Sequence, residues 1–117
     1  DQEIIMTCGC SEAINNACLA FIEPGDEVII FTPAFVSYQN TVLLCEGIPV
    51  EIPLKASNEF QIDIEKLKSK ITNKTKMMII NNPSNPTGAV YQKETLEKKF
   101  LPEEEQPHRK KFRKRAV

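Results

Sequence analysis

Apolar residues gather in short runs separated by turn residues. Three of these runs, Ile4-Ile5-Met6-Thr7, Val28-Ile29-Ile30-Phe31 and Met77-Met78-Ile79-Ile80, are too short for helices and are bounded by Gly, Pro or Asn. Each predicts a buried strand, the third over Thr75 to Asn81. A fourth strand, Ile48 to Pro53, alternates and carries Pro near both ends, as an edge position allows. The stretches between them have helical period. Ala13, Ile14, Ala17, Cys18, Phe21 and Ile22 share a face after Ser11, which suits a helix N-cap, and Pro24-Gly25-Asp26 ends that helix. Phe35 to about Cys45 predicts a second helix, with Gly47 as its stop. Ile64, Leu67 and Ile71 predict an amphipathic third over Asp63 to Ile71. Gln92 to about Phe100 predicts a fourth. Strands alternating with helices predict a three-layer α/β fold with a mostly parallel sheet. The strands at 4–7, 28–31 and 77–81 are expected to be adjacent or nearly so.

Composition keeps this picture ordinary and alters it at one end. The 117 residues are 41% hydrophobic and 26% charged, as in a small globular domain. No apolar run is long enough to span a membrane. The start, Asp1-Gln2-Glu3, is acidic and does not resemble a signal peptide. Net charge is −1, but residues 1–97 carry 7 basic and 13 acidic groups while residues 98–117 carry 8 and 3. The body thus lacks the basic surplus of a nucleic-acid binder. Residues 98–117 read as a divergent basic tail with too few apolar side chains to order it. Cys8-x-Cys10 is not a zinc spacing, and Cys8, Cys10, Cys18 and Cys45 read as free thiols of a reducing cytoplasm.

Candidate chemistry follows the strands, where open α/β sheets place their ligands. Gly9-Cys10-Ser11 opens a helix after a predicted strand. Unpaired N–H groups there, with the Ser11 hydroxyl, can take a phosphate; alternatively Ser11 only caps the helix. Phe35 follows Thr32-Pro33 and can stack on a flat ring, or serve as a core Phe of the next helix. Asn81-Asn82-Pro83-Ser84-Asn85-Pro86-Thr87-Gly88 is either a tight strand-to-helix connection or a rigid loop presenting an amide to a ligand. Pro24-Gly25-Asp26-Glu27 carries no chemistry. Tyr38 reads as packing or subunit contact, and Asn81 and Asn82 as loop capping.

Four segments in order, Gly9-Cys10-Ser11-Glu12-Ala13-Ile14, Pro24-Gly25-Asp26-Glu27-Val28, Thr32-Pro33-Ala34-Phe35-Val36-Ser37-Tyr38 and the Asn/Pro loop, resemble class I/II aminotransferases. These are pyridoxal 5'-phosphate (PLP) enzymes of fold type I. The resemblance runs from about Ile4 to Leu96 and implies a fragment of the family's large domain. It implies that Cys10 and Ser11 hold the cofactor phosphate, that Phe35 stacks on the ring, and that Asn85 donates to its phenolic oxygen, in a loop whose Asn85–Pro86 bond is often cis. The implied reaction moves an amino group between an amino acid and a 2-oxo acid, in a full-length homodimer. A PLP lyase or synthase of the same fold, or a non-catalytic interaction fragment, remain alternatives.

Such a transaminase also needs a Lys to bond the cofactor, an Asp at its ring nitrogen and an Arg for the substrate carboxylate. In the family all three follow the residue matched by Asn85. Here no Asp follows Asp63, the arginines lie only beyond residue 108, and no Lys has the family's surroundings. The chain alone is therefore expected to be inactive and to carry no catalytic residue.

Overall fold

The computed structural model describes residues 4–97. Residues 98–117, including the predicted basic tail, lie outside the described residues. Three strands, β1 (Glu27–Thr32), β2 (Ile48–Pro53) and β3 (Thr75–Ile79), form one sheet in the order β2-β1-β3. Both pairings are parallel, with Ile29 opposite Val50 on one side and Met78 on the other.

Helices cover both faces. Cys10–Phe21 (α1) and Ser37–Leu44 (α2) lie on one, Ile64–Lys70 (α3) and Lys93–Glu97 (α4) on the other. Period two along β1 sends Val28 and Ile30 into the first layer, with Cys18, Ile22, Tyr38 and Val42. Ile29 and Phe31 enter the second, with Ile52, Ile62, Leu67 and Tyr91. A strand buried on both faces needs an unbroken apolar run, which is what β1 has. Each such side chain contributes about 1.5–3 kcal/mol when fully buried.

Local chemistry sets the helix ends. Asp63 caps α3: its Oδ1 accepts from the N–H groups of Glu65 at 3.0 Å and Lys66 at 3.1 Å. α2 closes differently from the expectation. Glu46 N–H donates to the Leu43 carbonyl and Gly47 N–H to the Val42 carbonyl, each at 3.0 Å. Glu46, at φ 59°, takes the left-handed position, not Gly47. The glycine is used for closeness. A Cβ on Gly47 would lie 2.9 Å from Ile22 Cγ2 and 3.0 Å from Val42 Cγ1, where the end of α2 meets the end of α1.

Other expectations are corrected. Ile4 to Thr7 form no strand: Ile4, Ile5 and Met6 are 73%, 84% and 94% exposed. Both edges of β1 are taken by β2 and β3, so this segment has no ladder to join among the described residues. Gly9 rather than Ser11 is the N-cap of α1, and Ser11 is its second residue. α2 starts at Ser37 rather than Phe35, and β3 ends at Ile79, the last residue in register with β1.

Candidate functional site

The carboxyl ends of β1 and β3 open into neighbouring loops, and the N-terminus of α1 comes to the same end. Tyr38 joins the three. Its ring lies edge-on to Phe35, with centroids 5.8 Å apart and planes at 74°. Burial pushes its hydroxyl pKa up, and the Cys10 thiol, near enough to act on it electrostatically, adds to the rise. With Ala34, Asn81, Ser84, Asn85 and Tyr91, Tyr38 also lines a narrow cleft between the two loops. Thus Cys10, Phe35 and Asn85 gather around one side chain. Ser11 is placed only by following Cys10 on the exposed first turn; no hydrogen bond joins it to Phe35 or Asn85 among the described residues.

The loop after β3 is knotted by its own hydrogen bonds. Asn82 Oδ1 accepts from Tyr91 N–H at 3.0 Å, Ser84 N–H donates to the Ala89 carbonyl at 2.8 Å, and Gly88 N–H donates to the Ser84 carbonyl at 2.7 Å. Asn82–Pro83 and Asn85–Pro86 are both cis. Tyr91 anchors the returning chain against Phe31, with ring centroids 6.5 Å apart. Asn82 is thereby used up inside the loop, whereas the exposed Asn85 amide makes no hydrogen bond among the described residues.

At the head of α1, Gly9 has φ 86°, and nothing lies within 4 Å of where its Cβ would be. The first-turn N–H groups of Cys10, Ser11 and Glu12 have no acceptor within the helix. One feature opposes an anion there: the Glu12 carboxylate folds back to accept from Cys8 N–H. Phe35 is 40% exposed.

The cleft itself holds only about 10 Å³, the space of a single water. A planar ligand would lie across its mouth, against Phe35, rather than inside it. A larger groove of about 250 Å³ flanks the end of β2, near Lys55, Ser57 and Asn58. Its polar groups bond one another: Lys66 Nζ donates to the Pro53 carbonyl at 3.2 Å and Asn58 Nδ2 to the Gln61 carbonyl at 3.4 Å. It gathers none of the four predicted residues. No group of metal-ligating side chains occurs among the described residues, and no described helix is long and apolar enough to cross a membrane.

Tyr38 was the residue whose part in this arrangement sequence reasoning missed. The signal was its spacing, one helical turn beyond Phe35, together with the hydroxyl that a purely packed ring does not need.

The family model "Aminotransferase class I and II" matches residues 1–100. An aspartate aminotransferase of Pyrococcus abyssi is 46% identical over 97 residues, covering 83% of this chain and 25% of the relative. An aspartate aminotransferase double mutant of Thermus thermophilus superposes with a TM-score of 0.76 at 43% identity, over 77% of this chain and 24% of that one. An aromatic aminotransferase of Pyrococcus horikoshii does so at 0.73 and 47%, over 76% and 24%. The chain spans about a quarter of the length of the curated relatives it matches.

Proposed function

The chain belongs to the class I and II aminotransferases, and from that membership we propose that residues 1–97 are part of the cofactor-binding large domain of a PLP-dependent aminotransferase. The whole protein would move an amino group between an amino acid and a 2-oxo acid, as a homodimer in the cytoplasm. The observation that carries the reading is the convergence of Cys10, Phe35 and Asn85 around Tyr38 at the carboxyl end of a parallel sheet.

The donor set suits the cofactor. The open turn at Gly9, the N–H groups of Cys10 and Ser11 and the Ser11 hydroxyl would hold its phosphate, helped by the positive end of a twelve-residue helix. Phe35 would stack on its ring. Asn85 would donate to its phenolic oxygen, favouring the ionised form of that oxygen. Bound there, pyridoxal phosphate would supply an electron sink for the α-carbon of an amino acid. Tyr38 orients Phe35 by its edge contact, and the bonds of Asn82 and Ser84 fix the loop that presents Asn85. Relatives named for aspartate and for aromatic donors match this same segment. That supports a segment that holds the shared cofactor rather than one that sorts substrates.

Equilibrium binding of pyridoxal phosphate and of pyridoxal, followed by absorbance, tests the reading. The phosphate form should bind more tightly, and Ser11→Ala should cut that preference about tenfold or more, the loss of a hydrogen bond to a charged group. Glu12→Gln should raise it by removing a like charge. Asn85→Ala should shift the absorbance of the bound form. Equal binding of the two compounds, or an unchanged spectrum in Asn85→Ala, would overturn the assignment. The chain alone should turn over no amino donor.

A further inference from the structure

Two thiols that the cofactor reading does not use meet in the layer between α1, α2 and the sheet. Cys18 is fully buried, and Cys45 packs against the same cluster while remaining partly accessible. The backbones approach closely at this point. Ile22, just past the end of α1, donates its N–H to the Cys18 carbonyl at 2.9 Å, and Cys45, just past the end of α2, donates to the Val42 carbonyl at 3.2 Å. Ile22 and Val42 both press on Gly47 at distances that leave no room for a Cβ. Cys18 and Cys45 thus pack into one cluster beside this close approach. Burial pushes the Cys18 thiol pKa up, and the neighbouring Cys45 adds to it. Among the described residues, no other two cysteines share a core cluster.

We propose that Cys18 and Cys45 are a redox-sensitive pair that closes to an intrachain disulfide under hydroperoxide, stapling α1 to α2. Cys45, the reachable sulfur, attacks the peroxide O–O bond as its thiolate and becomes a sulfenic acid, releasing hydroxide. The Cys18 sulfur then displaces the sulfenic oxygen, and its proton leaves with that oxygen as water. Two thiols lose two electrons and two protons in all, and one peroxide becomes two waters. The helices joined are those that begin with the Gly9 turn and follow Phe35. The staple acts on the frame of the candidate site without occupying it, and it does not depend on the cofactor assignment.

Peptide mapping after peroxide treatment tests this on the 117-residue chain, with free thiols blocked and linked peptides identified by mass. In the folded chain the Cys18–Cys45 link should dominate, and dithiothreitol should reverse it. In denaturing urea pairing should follow loop length, with Cys10–Cys18 and Cys8–Cys18 overtaking. The share of Cys18–Cys45 should fall about tenfold on unfolding, the loss of a preorganised effective concentration. Cys45→Ser should leave Cys18 unoxidised in the folded chain. The same pairing pattern in both states would overturn the proposal, as would Cys18 oxidised at the wild-type rate in Cys45→Ser, or Cys45 oxidised with Cys18 still a free thiol.

Discussion

Ile4-Ile5-Met6-Thr7 and Val28-Ile29-Ile30-Phe31 are close to interchangeable as sequence, yet they meet opposite fates. The second is the central strand, with β2 and β3 on its two edges and a helical layer on each face. The first has no regular secondary structure, and its Ile4, Ile5 and Met6 are exposed. Intrinsic preference for a strand is the same in both, so it cannot be what separates them. The difference lies in partners. A strand needs a ladder for its N–H and C=O groups and an apolar layer for its side chains. β1 has two ladders and two layers, and residues 4–7 have neither among the described residues. Apolar content thus marks what can be buried, and neighbours decide what is.

The sharpest way to break this contrast is a charge at the centre of β1. Ile29→Asp places a carboxylate where the native side chain is 0% exposed, between register partners, Val50 and Met78, that carry no charge. The expected loss exceeds about 4–5 kcal/mol, enough to unfold a small domain. Circular dichroism should show loss of the native signal at 25 °C. A folded Ile29→Asp would mean that the sheet is not the core of this chain.

Next comes Gly47→Ala. Its methyl would meet Ile22 and Val42 at about the distances given for a Cβ, so α1 and α2 must separate or strain. The expected cost is about 1–3 kcal/mol, read as a lower urea midpoint with an unchanged slope. Glu46→Gly should act oppositely, relieving a left-handed non-glycine residue and adding about 0.5–1 kcal/mol. A destabilised Glu46→Gly would show that Glu46 does not hold the left-handed position, and a stabilised Gly47→Ala that the helix ends have room for a Cβ there.

These two neighbours also show how much was legible in the sequence. The run in β1, the Pro-flanked β2, the amphipathic α3 and the parallel α/β class follow from local pattern. So does the Asn/Pro loop, whose prolines and glycine announce a rigid turn. What escaped was set by three-dimensional closeness. Gly47 looks like a helix stop until Ile22 arrives beside it. Tyr38 looks like packing until Cys10 and Asn85 reach it from elements 28 residues before and 47 residues after it in the chain. The segment at 4–7 looks like a strand because a sequence shows side chains and not the edges open to them.

A smaller effect comes with pH. The Cys18 thiol, buried against β1, has its pKa raised above the ordinary 9.0, and Tyr38 is raised above 10.0. For an acid raised in the folded state, the unfolded chain loses its proton first. The stability is fully present below the unfolded value and declines as pH climbs past it. Urea midpoints should therefore hold up to about pH 9 and fall beyond it, with a shallower fall between pH 9 and 10 in Cys18→Ala. A midpoint that rises with pH in this window would contradict the burial of the thiol in the folded chain.

The smallest expected effect is the most direct probe of the contrast. Ile5→Ser removes an apolar side chain as large as that of Ile29, from a position that is 84% exposed. Little apolar area is returned to water, no buried partner loses contact, and no cavity forms. The change in stability should lie within about 0.5 kcal/mol, against several for Ile29→Asp and about 2–5 for Ile29→Ala. Hydrogen exchange should agree, with amides of residues 4–7 exchanging at unprotected rates while those of residues 28–31 are the slowest in the chain. If Ile5→Ser instead costs more than about 1 kcal/mol, or the 4–7 amides are protected, this segment has found a ladder. A concentration-dependent loss would place that ladder on a second copy, and a concentration-independent one on residues beyond 97 of the same chain.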